Sequence, residues 1–229
     1  MIDIAILVAS EIVSAGLAFA LVYFFFKAYR LTRFVHLLGP PISFSFLASS
    51  YFFLGMSLLY GNDVAVSESF FWLRLVTQSF GFAFFAFSYY FSSKTERTAK
   101  YFLGLIAFAS AISILLVFVA LTVAPPFLEI PCINVLDEYF RIANLIFLGY
   151  VICHLVKHLE PSHGTISGLI WAPLAFSLLW LAQYSSLIWG IDGSQTAFVL
   201  AHVARLASLT LFIYVYHSSG RVGSESRKA

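Results

Sequence analysis

The chain has 229 residues, 61% of them hydrophobic and only 10% charged, with a mean hydropathy of +0.91. A soluble domain of this length has too little interior to hide that much apolar surface, so an integral membrane protein is expected. A formal net charge of +2 carries no nucleic-acid signature, and lipid accepts the rings of 26 Phe that water would drive to aggregate.

Seven apolar segments are long enough to span, at about 1.5 Å of rise per residue against a hydrocarbon layer of roughly 30 Å. All exceed the roughly 9–11 residues of a membrane strand. The expected fold is therefore all-α, a polytopic seven-helix bundle. Segment one, 4–26, lacks a basic leader and carries Glu11, so it reads as a retained helix rather than a cleaved signal peptide. It ends in KAYRLTR. Segment two, 41–59, opens on GPP, where proline needs no backbone donor. Segment three covers 70–90, and segment four covers 101–124 and ends in PPFLEIP. Segment five covers 136–156. Segment six, 165–188, holds Pro173 inside it, which favours a kink. Segment seven, 196–216, leaves 218–229 as a short polar tail expected to be mobile.

Charge orients these segments. Lys27, Arg30, Arg33, Lys94, Arg97, Lys100, Lys157, Arg221, Arg227 and Lys228 fall on one side if seven helices alternate. Asp3, Asp63, Glu68, Glu129, Asp137, Glu138 and Asp192 fall on the other. The excess of basic residues marks the cytoplasmic face, so the N-terminus is expected outside and the C-terminus inside.

Three arginines break that rule: Arg74, Arg141 and Arg205 all lie in the outer halves of their segments. Arg205 sits about 14 Å below the outer edge, and Glu11 about 10 Å. An isolated charge at such depth costs at least about 2.5–3.5 kcal/mol. A Glu11–Arg205 pair, direct or through water, is therefore expected between the first and last helices. Arg74 and Gln78 share a helix face, as do Arg141 and Asn144, and His202 and Arg205. Asp137 is one turn before Arg141 and suited to hold it. With Gln183, these residues point to an outward-facing polar pocket for a small anionic or polar ligand, an ion or water. Plainer roles stand beside this one. The pair can simply fix helix register; Arg74 and Arg141 can snorkel outward; Gln78, Asn144 and Gln183 can serve as glue between helices. Trp72 fits an outer interfacial belt, and Trp171, Trp180 and Trp189 can anchor or line segment six.

Other chemistries find less support. No membrane-embedded lysine is available for a retinal Schiff base, and no serine-hydrolase, zincin or dinucleotide motif occurs. Haem would need His154 and His217 to face each other. The run HLVKHLEPSH places His154, His158 and Glu160 close together without metal-site spacing. Cys132 and Cys153 belong to opposite faces, which argues against a mutual disulfide. No cofactor is expected.

FFFKAYRLTRFVHLLGPPISFSFLASSYFFLGMSLL and VLAHVARLASLTLFIYVY resemble the first two helices and the last helix of seven-helix sensory regions in microbial signal-transduction proteins. That resemblance implies a non-enzymatic sensory bundle feeding a cytoplasmic kinase or regulator. Because this chain ends soon after segment seven, the output would come from a separate protein partner. The competing readings are a small-solute or ion transporter, a haem-binding redox subunit, and a structural subunit of a membrane complex. Membrane lipid is a partner in every one of them, and nucleic acid in none.

Overall fold

A computed structural model describes residues 4–32, 38–92, 133–157 and 166–225. Six helices account for them: α1 (Ile4–Thr32), α2 (Gly39–Leu59), α3 (Val64–Ser92), α4 (Ile133–Lys157), α5 (Ile166–Asp192) and α6 (Gln195–Glu225). All six are long and apolar enough to cross a bilayer, and the protein is a multi-pass, all-α membrane bundle. Predicted segment four, with Cys132, His36, His158 and His163, lies outside the described residues.

Each helix shows its orientation in its side-chain pattern. On α1, Val8, Glu11, Ala15, Ala18 and Leu21 are buried, three or four apart. Ile12, Val13, Phe19, Tyr23 and Phe26 stay exposed on the opposite side. In water this would be an inverted surface; in lipid it is the expected one, with the apolar side chains turned outward. On α6, Ala197, Ala201, Ala204, Arg205, Ser208 and Phe212 face inward while Val199, Leu200, Val203 and Tyr214 face out. Glu11 and Arg205 thus sit within the inward stripes of their helices, not on the lipid face.

The helix ends are set locally. The α2–α3 turn closes with Tyr60 N–H on Met56 O at 3.0 Å, and the Asp63 carboxylate accepts from Val66 N–H at 3.3 Å. This N-cap starts α3 six residues before the predicted segment. Gly193, at φ 68, ends α5 in the left-handed conformation that suits glycine, with its N–H on Trp189 O at 2.9 Å. Ser194 then caps α6 through Ala197 N–H. Pro40 and Pro41 occupy the first turn of α2, and Pro173 lies within α5. At its other end α6 runs on to Glu225, past the predicted end of segment seven at 216.

Each helix packs against its sequence neighbours among the described six, and α6 returns to α1 to close a ring. Trp72 meets Phe140 near the starts of α3 and α4, and Tyr89 meets His154 near their ends. These two helices therefore run parallel. Ser57 and Ser67 tie α2 to α3 by each donating a hydroxyl to the other's backbone carbonyl at 3.0 Å. Trp180 Nε1–H donates to Leu145 O across α5 and α4, and Ser208 donates to Ala175 O across α6 and α5. Trp72, expected at the lipid interface, is instead 9% exposed and edge-on to Phe140 within the α3–α4 seam.

The lower half of the ring is filled by rings. Phe44 stands edge-on to Phe85 and Phe212, at centroid distances of 5.0 and 5.3 Å. Phe176 does the same to Phe85 and Phe212, at 5.1 and 4.8 Å. Leu148 and Val151 complete this core from α4.

Gly81 marks a close approach of α3 to α2. A Cβ there would stand 3.0 Å from Leu47 Cγ and 3.1 Å from the Ser43 carbonyl oxygen, which cannot swing aside as a side chain can. Gly81→Ala is expected to destabilise by about 1–3 kcal/mol, read from reversible unfolding in mixed micelles. Gly149→Ala is the control, since nothing lies within 4 Å of that position. It should be neutral or mildly stabilising.

Candidate functional site

Above the aromatic core lies a cavity of about 540 Å³. All of its walls come from the end of the ring that carries the start of α1: Glu11 from α1, Ser57 from α2, Arg74 and Gln78 from α3, Arg141 from α4, Gln183 and Trp189 from α5, and His202 and Arg205 from α6. Seven of the eight residues expected at a polar site therefore line one space. Asn144 is the exception. It is buried in the α4 stripe one turn below Arg141 but does not line the cavity.

The centre of the site is the pair between the first and last described helices. Arg205 Nη2–H donates to Glu11 Oε1 at 2.6 Å. Glu11 is 0% exposed, so this contact replaces the water the carboxylate lost. The same Arg205 Nη2 lies 2.8 Å from His202 Nδ1. A guanidinium only donates, so Nδ1 is the acceptor of that contact; the same nitrogen also stands 3.4 Å from Glu11 Oε1. Ser10 Oγ, 3.2 Å from the same nitrogen, already donates to Leu7 O at 2.8 Å. Arg205 also lies over the Tyr51 ring, 4.7 Å from its centroid, a cation–π contact from α2. Gly55, one turn further along α2, faces Glu11, and a Cβ there would stand in ordinary contact with Glu11 Cβ at 3.6 Å.

Arg141 is held by its own helix. Its Nε–H donates to Asp137 Oδ2 at 2.8 Å, and Nη2 lies 2.7 Å from the same oxygen. Arg74 differs: its guanidinium sits 5.0 Å from the Phe71 ring centre, and it makes no ion pair with a carboxylate among the described residues. Snorkelling to the surface is not what either does. Arg74 is 7% exposed and Arg141 3%, because both stand on the inward stripes of their helices. Several buried atoms have no hydrogen-bond partner among the described residues: Glu11 Oε2, Arg205 Nε, Gln183 Oε1 and Asn144 Oδ1.

The remaining walls are apolar. Leu7, Leu54, Leu58, Phe71, Ala201 and Phe198 contribute, and the Trp189 ring lies tilted against Phe198, 4.9 Å between centroids. Such a mixture, mostly apolar with a few converging polar groups, suits a small organic ligand. The histidines proposed for haem occupy different seams: His154 lies against Tyr89 and Tyr150, and His217 against Phe24 and Tyr216. Among the described residues no group of three His, Cys, Asp or Glu could hold a metal ion.

No family model, curated protein or solved structure matches this chain.

Tyr51, Ser10, Ser57 and Trp189 went unnoticed as site residues in the sequence. Spacing carried no signal for the first, since one tyrosine in so aromatic a chain looks like any other core ring.

Proposed function

We propose that this protein is a non-enzymatic sensory or accessory subunit of a signal-transducing membrane assembly. It has seven helices, its N-terminus outside and its C-terminus in the cytoplasm. Its cavity opens outward, and its basic face meets a cytoplasmic partner. The observation that carries this reading is the floor of the cavity. Phe44, Phe85, Phe176 and Phe212, all buried, close the ring beneath the charged residues. Among the described residues no buried charged side chain lies at or below this layer, which favours a site that receives a ligand over one that passes it on.

The parallel course of α3 and α4 supports the helix count. A chain that leaves α3 at one face and starts α4 at the other needs a return crossing, and predicted segment 101–124 is long enough to make it. The asymmetry of Lys and Arg supports the orientation. A ligand that fits between α1, α3, α5 and α6 would bias the ring through the Glu11–Arg205 seam, where α1 and α6 touch most sparingly.

Two measurements on protein reconstituted in liposomes test the reading. Ion and solute flux should stay at the level of protein-free vesicles. Flux that Glu11→Gln abolishes would replace the sensory reading with transport. In intact cells, Asp63→Cys should react with an impermeant maleimide. Reaction of Lys157→Cys instead would reverse the orientation.

A further inference from the structure

The cavity walls do not balance in charge. Glu11 compensates Arg205, and Asp137 compensates Arg141, each at hydrogen-bond distance. Arg74 faces the same space with no carboxylate among the described residues, although it is more than nine-tenths buried. A cation at that depth demands an anion or water. Around it the walls are apolar and aromatic: Phe71 beside the guanidinium, then Leu54, Trp189 and Phe198. Gln183 also lines the space, and its Oε1 is buried without a hydrogen-bond partner among the described residues.

We infer that the cavity binds an amphiphilic monoanion, a carboxylic acid with an apolar body, whose carboxylate meets Arg74 and whose body lies against Phe71, Trp189 and Phe198. The inference rests on reading the cavity as a ligand site. One negative charge satisfies the one arginine left uncompensated among the described residues. A dianion would overshoot it, and a cation would face three guanidinium groups. A planar guanidinium also matches a carboxylate edge with two parallel N–H groups, which a point charge does not. The volume of about 540 Å³ falls within the range of small-ligand sites and exceeds what a lone inorganic ion requires. The acid can arrive from water or from the bilayer, and the same chemistry would hold either.

The test uses the full chain in lipid nanodiscs, titrated calorimetrically with sodium octanoate, 1-octanol and octylammonium chloride, against empty nanodiscs. Octanoate should bind saturably at one site per chain, while octanol and octylammonium give only the signal of the empty discs. Arg74→Gln should weaken octanoate by about tenfold or more, since a hydrogen-bonded charge is lost, and Arg74→Lys should fall between. Benzoate, which stays in water, and oleate, which stays in lipid, distinguish the source: competition by either supports the inference and names the route. Equal saturable binding of octanol and octanoate would overturn the anion while leaving a ligand cavity in place. Binding of octanoate unchanged by Arg74→Gln would overturn it as well. No saturable binding by any of the three, joined to ion flux in liposomes, would remove both this inference and the sensory reading. Should Arg74→Gln not fold, the contrast between octanoate and octanol on the unaltered protein decides.

Discussion

Arg205→Met is expected to cost about 3–5 kcal/mol of stability, the range seen when one partner of a buried ion pair is removed. The loss comes mainly from what is left behind. Glu11 is fully buried and its Oε1 would lose its 2.6 Å donor, while Oε2 has no partner among the described residues even now. Glu11→Leu alone should cost a comparable amount, because Arg205 Nε already lacks a partner and Nη2 would keep only the His202 contact. The double change Glu11→Leu/Arg205→Met should recover most of the loss, since an apolar pair of similar size is tolerated where a charge pair sat. Reversible unfolding of the wild type, both single variants and the double gives a coupling energy directly. If the two single losses simply add in the double variant, the two side chains do not act as a pair.

Phe176→Ala carries the second large effect, about 3–5 kcal/mol, as expected for removing a ring from a packed interior. Phe176 touches Phe85, Phe212 and Tyr89 edge-on, at 5.1, 4.8 and 5.7 Å. Both α3 and α6 thus lean on one ring, and neither can collapse into the space it leaves without releasing another contact. The same change should have a functional signature, because the floor of the cavity would be breached. Liposomes bearing the variant should leak small ions that the unaltered protein retains. Phe26→Ala is the matched control. That ring is exposed on the lipid face, so its removal should stay within about 0.5 kcal/mol and cause no leak. A tight vesicle from Phe176→Ala, at preserved folding, would show that the aromatic layer is not what closes the bundle.

Much of this architecture was legible beforehand, for a physical reason. In lipid, every long apolar run must be a helix, so length alone locates the spans. A charge inside such a run is expensive, so two opposite charges at similar depth betray their meeting; Glu11 and Arg205 did so across 194 positions of chain. Arg74 and Arg141 were harder. Near a helix end, depth does not tell an inward arginine from one that bends out to the headgroups. Only the registry of the stripe decides, with Arg141 in line with Leu148 and Val151. Trp72 misled for the same reason, because its place near an interface says nothing about its side of the helix. The reciprocal Ser57–Ser67 bonds were hidden altogether, since a serine in a span can equally bond its own turn, as Ser43 does to Gly39 O. Tyr51 gave no polar clue, although its ring is what Arg205 rests upon.

The closed ring has a consequence for biogenesis. Among the described helices, those consecutive in the chain also pack side by side, so α1 through α5 can dock in the order they leave the ribosome. The last seam is different, because α1 has to wait for α6. Until that final helix is threaded into the bilayer, α1 holds an acid whose counterion has not yet been synthesised. Any nascent chain stalled before Arg205 therefore displays a lone carboxylate within the membrane, a chemical mark that distinguishes an unfinished molecule from a finished one.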